Sequence, residues 1–191
     1  TIAPTLSSLT IRSDNDNTTI AKVGDRITLT INASENIQKP TVLIAGNSAS
    51  VSPSSGIRTS WSATYTMQNS DTDGSVSHSV AFTDALGNPV ITVTSTTNGS
   101  AVQFDKTAPS LMPVTAVPTP DNDSTPNYTF YSNQAGTITY AGGCSSSDTS
   151  ANADNNTVTF RKPSGAVLDD GTYSSCTVTV TDSAGNASTA L

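Results

Sequence analysis

The stretch TDALGN, residues 83–88, recurs as TDSAGN at residues 181–186, and that recurrence decides how the chain is read. Each copy ends a run of alternating residues, VSHSVAF (76–82) in one case and CTVTV (176–180) in the other. Thr-Asp-x-x-Gly-Asn makes a good hairpin turn. The Asp can accept hydrogen bonds from local backbone, and Gly and Asn tolerate positive φ. A strand followed by the same turn, twice, implies one module written twice.

Other matches run in the same order. Ala3-Pro4-Thr5-Leu6 is echoed by Ala108-Pro109-Ser110-Leu111, Asp14-Asn15-Asp16 by Asp121-Asn122-Asp123, and Asp73-Gly74 by Asp170-Gly171. The expected division is therefore 1–105 and 106–191, with Lys106-Thr107-Ala108-Pro109 as the linker. Period-2 alternation fills both halves. RITLTINA (26–33) places Ile27, Leu29, Ile31 and Ala33 on one face, and WSATYTM (61–67) does the same with Trp61, Ala63, Tyr65 and Met67. The second half continues with NYTFYS (127–132), GTITYAG (136–142), NTVTF (156–160) and CTVTVTD (176–182). Short strands between Gly/Asn/Asp/Pro turns read as all-β, two tandem sandwiches. In the first, strands are expected at 5–12, 26–33, 40–45, 58–67, 76–83 and 89–104. After Asn186 only five residues remain, so the last strand of the second module is expected to be truncated.

Composition narrows function by exclusion. Only 12% of the 191 residues are charged, about half the usual share of roughly 25%. Ser, Thr, Asn and Gly take that place, which suits solvated strand faces. A net charge of −7 offers no basic surface for nucleic acid or for anionic lipid. No apolar run reaches the roughly 18 residues of a membrane span. The chain begins at Thr1 without Met and is expected to be part of something longer. His78 is the single histidine, so Ser/His/Asp, Cys/His and two-His metal sites cannot form within it. No enzyme activity is expected. His78 alternates with Val80 and Phe82 and reads as a half-buried strand residue. Cys144 and Cys176 are the only cysteines. They are expected to pair as a disulfide in an oxidising compartment, the other reading being two buried thiols.

The segments TDALGNP, TDSAGNAS, FDKTAPSL and DGTYSSCTVTVTDSAGN resemble bacterial immunoglobulin-like repeats, which occur in tandem in very large secreted or surface proteins, many of them adhesins. The likeness covers both modules. It implies two immunoglobulin-like β-sandwiches, neighbouring repeats of the same chain as partners, and a secreted or bacterial cell-surface location. One departure is visible: Tyr173 lies three residues before Cys176, where antibody domains place a Tyr two before the second Cys.

The acidic residues are fourteen Asp and one Glu. Loops alternate between two poles in such a sandwich, so Asp14, Asp16, Asp71, Asp73 and Asp105 should converge at the module junction, facing Asp182 and Asn186 of the second module. Asp121, Asp123, Asp169 and Asp170 should repeat the set at the second module's far pole. Hard oxygens gathered from several loops suit Ca²⁺, and related repeats often use calcium at junctions. The competing reading is that these Asp residues form turns; none lies in an EF-hand loop.

The functional expectation is a structural spacer that projects a functional tip, stiffened by calcium at the hinge. The alternatives are a glycan- or protein-binding module, with Tyr131 as the aromatic to test, an accessory module of a secreted hydrolase, and a strand-exchange fibre subunit.

Overall fold

The computed structural model describes residues 3–89 and 92–191. These contain strands and no helix, in several mostly antiparallel sheets, as an all-β sandwich requires. The chain divides into two compact units, Thr1–Lys106 and Thr107–Leu191.

Unit 1 contains β1 (Leu6–Ser13), β2 (Ile20–Ala21), β3 (Arg26–Gln38), β4 (Thr41–Ile44), β5 (Asn47–Ser48), β6 (Ser50–Ser52), β7 (Ile57–Thr66), β8 (Gly74–Ser75), β9 (His78–Ala81) and β10 (Gln103–Phe104). One layer is the sheet β1-β3-β7-β6. The other side holds two short sheets, β5-β4-β9 and β2-β10-β8. Alternation explains the packing. Ile27, Leu29 and Ile31 of β3 are fully buried, and they share one core with Val42, Ile44, Val80 and Phe82 from the opposite layer. Each such side chain contributes about 1.5–3 kcal/mol by leaving water. Trp61 is buried in the same core, and its indole N–H donates to the Arg58 carbonyl at 3.3 Å.

Three expectations are corrected here. β3 does not stop at 33 but runs to Gln38, with a register shift against β7 between Asn32 and Ile37. The expected strand 76–83 is shorter: β9 covers only 78–81 and pairs with β4, while β8, just before the expected strand, pairs with β10. The expected strand 89–104 is not one strand. Pro89 and Val93 bridge to Thr83 and Val80, residues 94–102 leave the sheet, and the chain returns as β10. The excursion contains Asn98-Gly99, with Gly99 at φ +73°. Its hydroxyls serve β1 instead of a ladder: Thr97 Oγ1 accepts from Leu9 N–H and Ser100 Oγ from Ile11 N–H. Residues 90 and 91 of the expected strand lie outside the described residues.

Unit 2 contains β11 (Leu111–Thr115), β12 (Asn127–Ser132), β13 (Gly136–Ala141), β14 (Ser150–Ala151), β15 (Asn155–Thr159) and β16 (Thr177–Thr181). Its sheets are β11-β12-β15 and β14-β13-β16. Phe130, Ile138, Val158, Val178 and Val180 fill the core, with Tyr128 stacked on Phe160 at 5.7 Å between ring centroids. Residues 187–191 run back along β16: Ser188 N–H donates to Val180 O, and Val178 and Leu191 exchange both backbone bonds.

Candidate functional site

The recurring turn forms in both units, and its carboxylate organises it. Asp84 accepts from the backbone N–H of Leu86 and Asn88 and from the Asn88 side-chain amide at 2.7–2.9 Å. Asp182 repeats the set with Ala184 N–H, Asn186 N–H and the Asn186 amide at 2.9–3.0 Å. The side-chain bond from Asn88, with the backbone donors behind it, holds the Asp84 carboxyl below its ordinary value. Both Asp side chains are buried. They are closed inside their own turns.

The other candidate ligands have local work too. Asp14 accepts from Arg26 N–H at 2.7 Å and lies 3.8 Å from the Arg26 guanidinium. Asp73 accepts from Lys106 N–H at 2.8 Å, and the Lys106 ammonium donates to the carbonyls of Asn69 and Asp71. The structure therefore brings the Asp73 loop to the chain just after Asp105. Asp105 N–H donates to Ala21 O. Asp16 is exposed. Among the described residues, no group of three or more His, Cys, Asp or Glu side chains is arranged to hold a metal ion. The carboxylates of Asp14, Asp73, Asp84 and Asp182 engage backbone donors, which is turn and cap chemistry.

Two acidic roles escaped the sequence reading, one buried and one partly buried. Asp71, 6% exposed, accepts from Gln68 N–H, the Asn47 amide and the Tyr65 hydroxyl, tying three segments of unit 1 together. Asp25 accepts from Lys22 N–H and the Asn15 amide, at 2.9 and 2.7 Å. Spacing alone gave no signal for either. Tyr173 departs from the antibody spacing yet still makes a corner. Its hydroxyl accepts from Asp169 N–H and donates to Asp169 O, fixing the loop before β16.

Cys144 and Cys176 are joined as a disulfide across a sequence separation of 32. His78 is half-buried on β9, and burial lowers its pKa from the ordinary 6.5. Tyr131 is half-buried rather than fully exposed, while Tyr140 is pushed up to about 12 by burial. No helix among the described residues is long and apolar enough to cross a membrane.

Unit 2 contains a cleft of about 550 Å³. Its floor is apolar, with Val117, Phe160, Leu168 and Cys176; Asp121, Asp123, Asp169 and Asp170 stand along it. Asp121 and Asp123 accept from backbone N–H groups two residues on, and Asp169 pairs with Lys162 at 2.7 Å. A second, smaller hollow adjoins it through shared Val117, Phe160 and Cys176 and reaches Leu191. Compared with known proteins, the chain matches no family model and no curated protein.

Proposed function

We propose that this chain is a structural spacer: two tandem immunoglobulin-like modules of a large secreted or surface-attached bacterial protein, holding a functional tip away from its anchor. The observation that carries the reading is the recurrence of one device at one register. Thr83 bridges Pro89 as Thr181 bridges Ala187, and Val80 and Val93 exchange two backbone bonds as Val178 and Leu191 do. A repeated fold with repeated turns is what a length-setting array needs, since each unit supplies its own core. The disulfide supports an oxidising, extracellular setting.

Calcium enters this reading as a ligand to be tested, because the carboxylates of Asp14, Asp73 and Asp182 already accept from backbone N–H groups. Thermal unfolding in EDTA and then in about 1 mM Ca²⁺, the weak end of extracellular sites, is expected to give superimposed curves. A rise of several degrees that disappears in Asp105→Asn would instead establish a calcium-clamped junction. The spacer itself is tested by pulling the whole chain. Two unfolding events are expected, one of them lengthened when the disulfide is reduced. Saturable binding to a glycan array, lost in Tyr131→Ala, would replace the spacer with a binding module.

A further inference from the structure

Unit 1 carries two exposed turns of one design that differ at the position deciding their chemistry. In Asn17-Thr18-Thr19, Asn17 Oδ1 accepts from Thr19 N–H at 3.1 Å. In Asn98-Gly99-Ser100, Asn98 Oδ1 accepts from Ser100 N–H at 3.0 Å. Both asparagines are exposed, and in both the side-chain carbonyl is polarised by a backbone donor two residues on. The residue between differs. Thr18 is branched at Cβ, whereas Gly99 has no side chain, and Asn98-Gly99 is the only Asn-Gly pair in the sequence. Gly99 lies at φ +73° in open space, and its N–H has no hydrogen-bond partner among the described residues.

The second turn also holds a sheet edge. β1 ends its sheet, and two of its backbone donors go to hydroxyls instead of a strand: Leu9 N–H to Thr97 Oγ1 and Ile11 N–H to Ser100 Oγ, both at 3.0 Å. Thr97 is tied down twice, since its own N–H donates to Leu9 O at 2.9 Å. Ser100 is placed by the turn, through Asn98 Oδ1 on its N–H and Thr96 Oγ1 on its carbonyl, the latter at 2.9 Å. Leu9 and Ile11 are about 6.6–6.8 Å apart along the strand, so the turn must present its two hydroxyls at that interval. The main chain between them runs through Asn98 and Gly99. Covered in this way, the edge donors are not available to another strand.

We propose that Asn98 is a self-modifying site whose reaction releases Ser100 from β1. The Gly99 nitrogen, giving its proton to solvent hydroxide, attacks Asn98 Cγ. A Gly99 N–Cγ bond forms, the Cγ–Nδ2 bond breaks, and Nδ2 takes a proton from water and leaves as ammonia. Negative charge develops on Oδ1 during the attack, where Ser100 N–H already donates. Water then opens the succinimide ring. Cleavage between the ring nitrogen and Cγ gives ordinary aspartate. Cleavage between that nitrogen and the original main-chain carbonyl gives isoaspartate: the chain now runs through Cβ and Cγ, one methylene longer, and the former carbonyl is a carboxylate. The added methylene falls between the two clamps. Thr97 keeps its bonds to Leu9, while Ser100 is carried away from Ile11. This inference does not use the spacer role, so its failure would leave the spacer standing.

The test holds the intact chain in warm, mildly alkaline buffer and follows it by peptide mapping, isoaspartate-specific methylation and amide hydrogen exchange. Asn98 should convert ahead of every other asparagine, Asn17 included, with isoaspartate outnumbering aspartate. In the converted fraction the Ile11 amide should exchange about tenfold faster, the size of one lost hydrogen bond, while Leu9 stays protected. Asn98→Asp separates added charge from added backbone. Freshly prepared, that variant keeps an ordinary chain and a carboxylate that can accept from Ser100 N–H, so Ile11 should remain protected. Asn98→Gln, whose longer side chain closes the ring far more slowly, should keep Ile11 protected through the same incubation. Conversion of Asn17 or another asparagine first overturns the proposal. So does an isoaspartate chain that still protects Ile11, or an Asn98→Asp variant that exposes Ile11 to the same degree.

Discussion

Units 1 and 2 share a turn and a register, yet they are held together by different means. Among the described residues, the core cluster of unit 1 holds nineteen buried apolar residues and that of unit 2 holds nine, one of them a disulfide cysteine. The extra burial in unit 1 includes the strand that returns at 102–104 and the long β3–β7 pairing. Unit 2 has a short β11, an open cleft and the Cys144–Cys176 bridge. A covalent link across the second sheet thus stands where hydrophobic burial is thinner, the usual pattern for small cores. The comparison teaches that one repeat plan tolerates exchange between burial and crosslinking.

Breaking the crosslink gives the largest expected effect. A bridge closing a separation of 32 residues stabilises by about 3–4 kcal/mol in the chain-entropy model. Reduction, or Cys144→Ala with Cys176→Ala, should therefore lower the transition of unit 2 sharply and leave unit 1 where it was. The two can be read separately. Trp61, the single Trp, sits in the core of unit 1, while four of the five Tyr belong to unit 2. If Trp fluorescence and far-UV circular dichroism shift together on reduction, the units do not unfold independently.

A smaller effect separates the turns that follow β4 and β13. In unit 1 the turn is Ala45-Gly46, both at positive φ, +51° and +77°, with open space around Gly46. In unit 2 it is Gly142-Gly143, and a Cβ on Gly142 would lie 1.7 Å from the carbonyl oxygen of Ser175. Gly142→Ala forces backbone to move as well as straining φ, and should cost at least about 2–3 kcal/mol. Gly46→Ala meets only the φ penalty, about 1 kcal/mol. Equal losses on thermal unfolding would mean that the close approach at Gly142 relaxes freely.

Much of this architecture was legible in the residues, and the parts that were not have physical reasons. Alternation at Ile27, Leu29 and Ile31 identified a buried face because period 2 has no competing explanation over eight residues. The Asp84 and Asp182 turns were legible because their hydrogen bonds are local. The division of the last strand in unit 1 was not, since Thr97 and Ser100 bond to Leu9 and Ile11, partners some ninety residues away. Asp71 was named for a pole, and its depth depends on Tyr65 and Asn47 meeting it from other elements. The cleft in unit 2 was foreshadowed only as an open edge. Its lining combines 117–124 with 168–176, and no local pattern joins those segments.

The smallest effect expected is acid sensitivity confined to unit 1. By register, His78 occupies the place of Cys176, so one unit carries a titrating ring where the other carries a disulfide sulfur. Burial lowers the pKa of His78 below 6.5, its Val76 backbone bond opposes this only in part, and its Nε2 is buried with no partner among the described residues. The folded unit therefore binds a proton less readily than the unfolded chain. Its stability is complete above the unfolded pKa, near 6.5, and declines as pH falls through that value toward the lower folded one. Between about pH 7.5 and 5, the Trp61-monitored transition should fall by a few degrees, with unit 2, which has no His, holding steady across the same window. His78→Gln keeps a polar side chain on β9 but removes the titration, so its transition should be flat there. A decline of equal size in both units, or one that persists in His78→Gln, would assign the acid sensitivity to groups other than this ring.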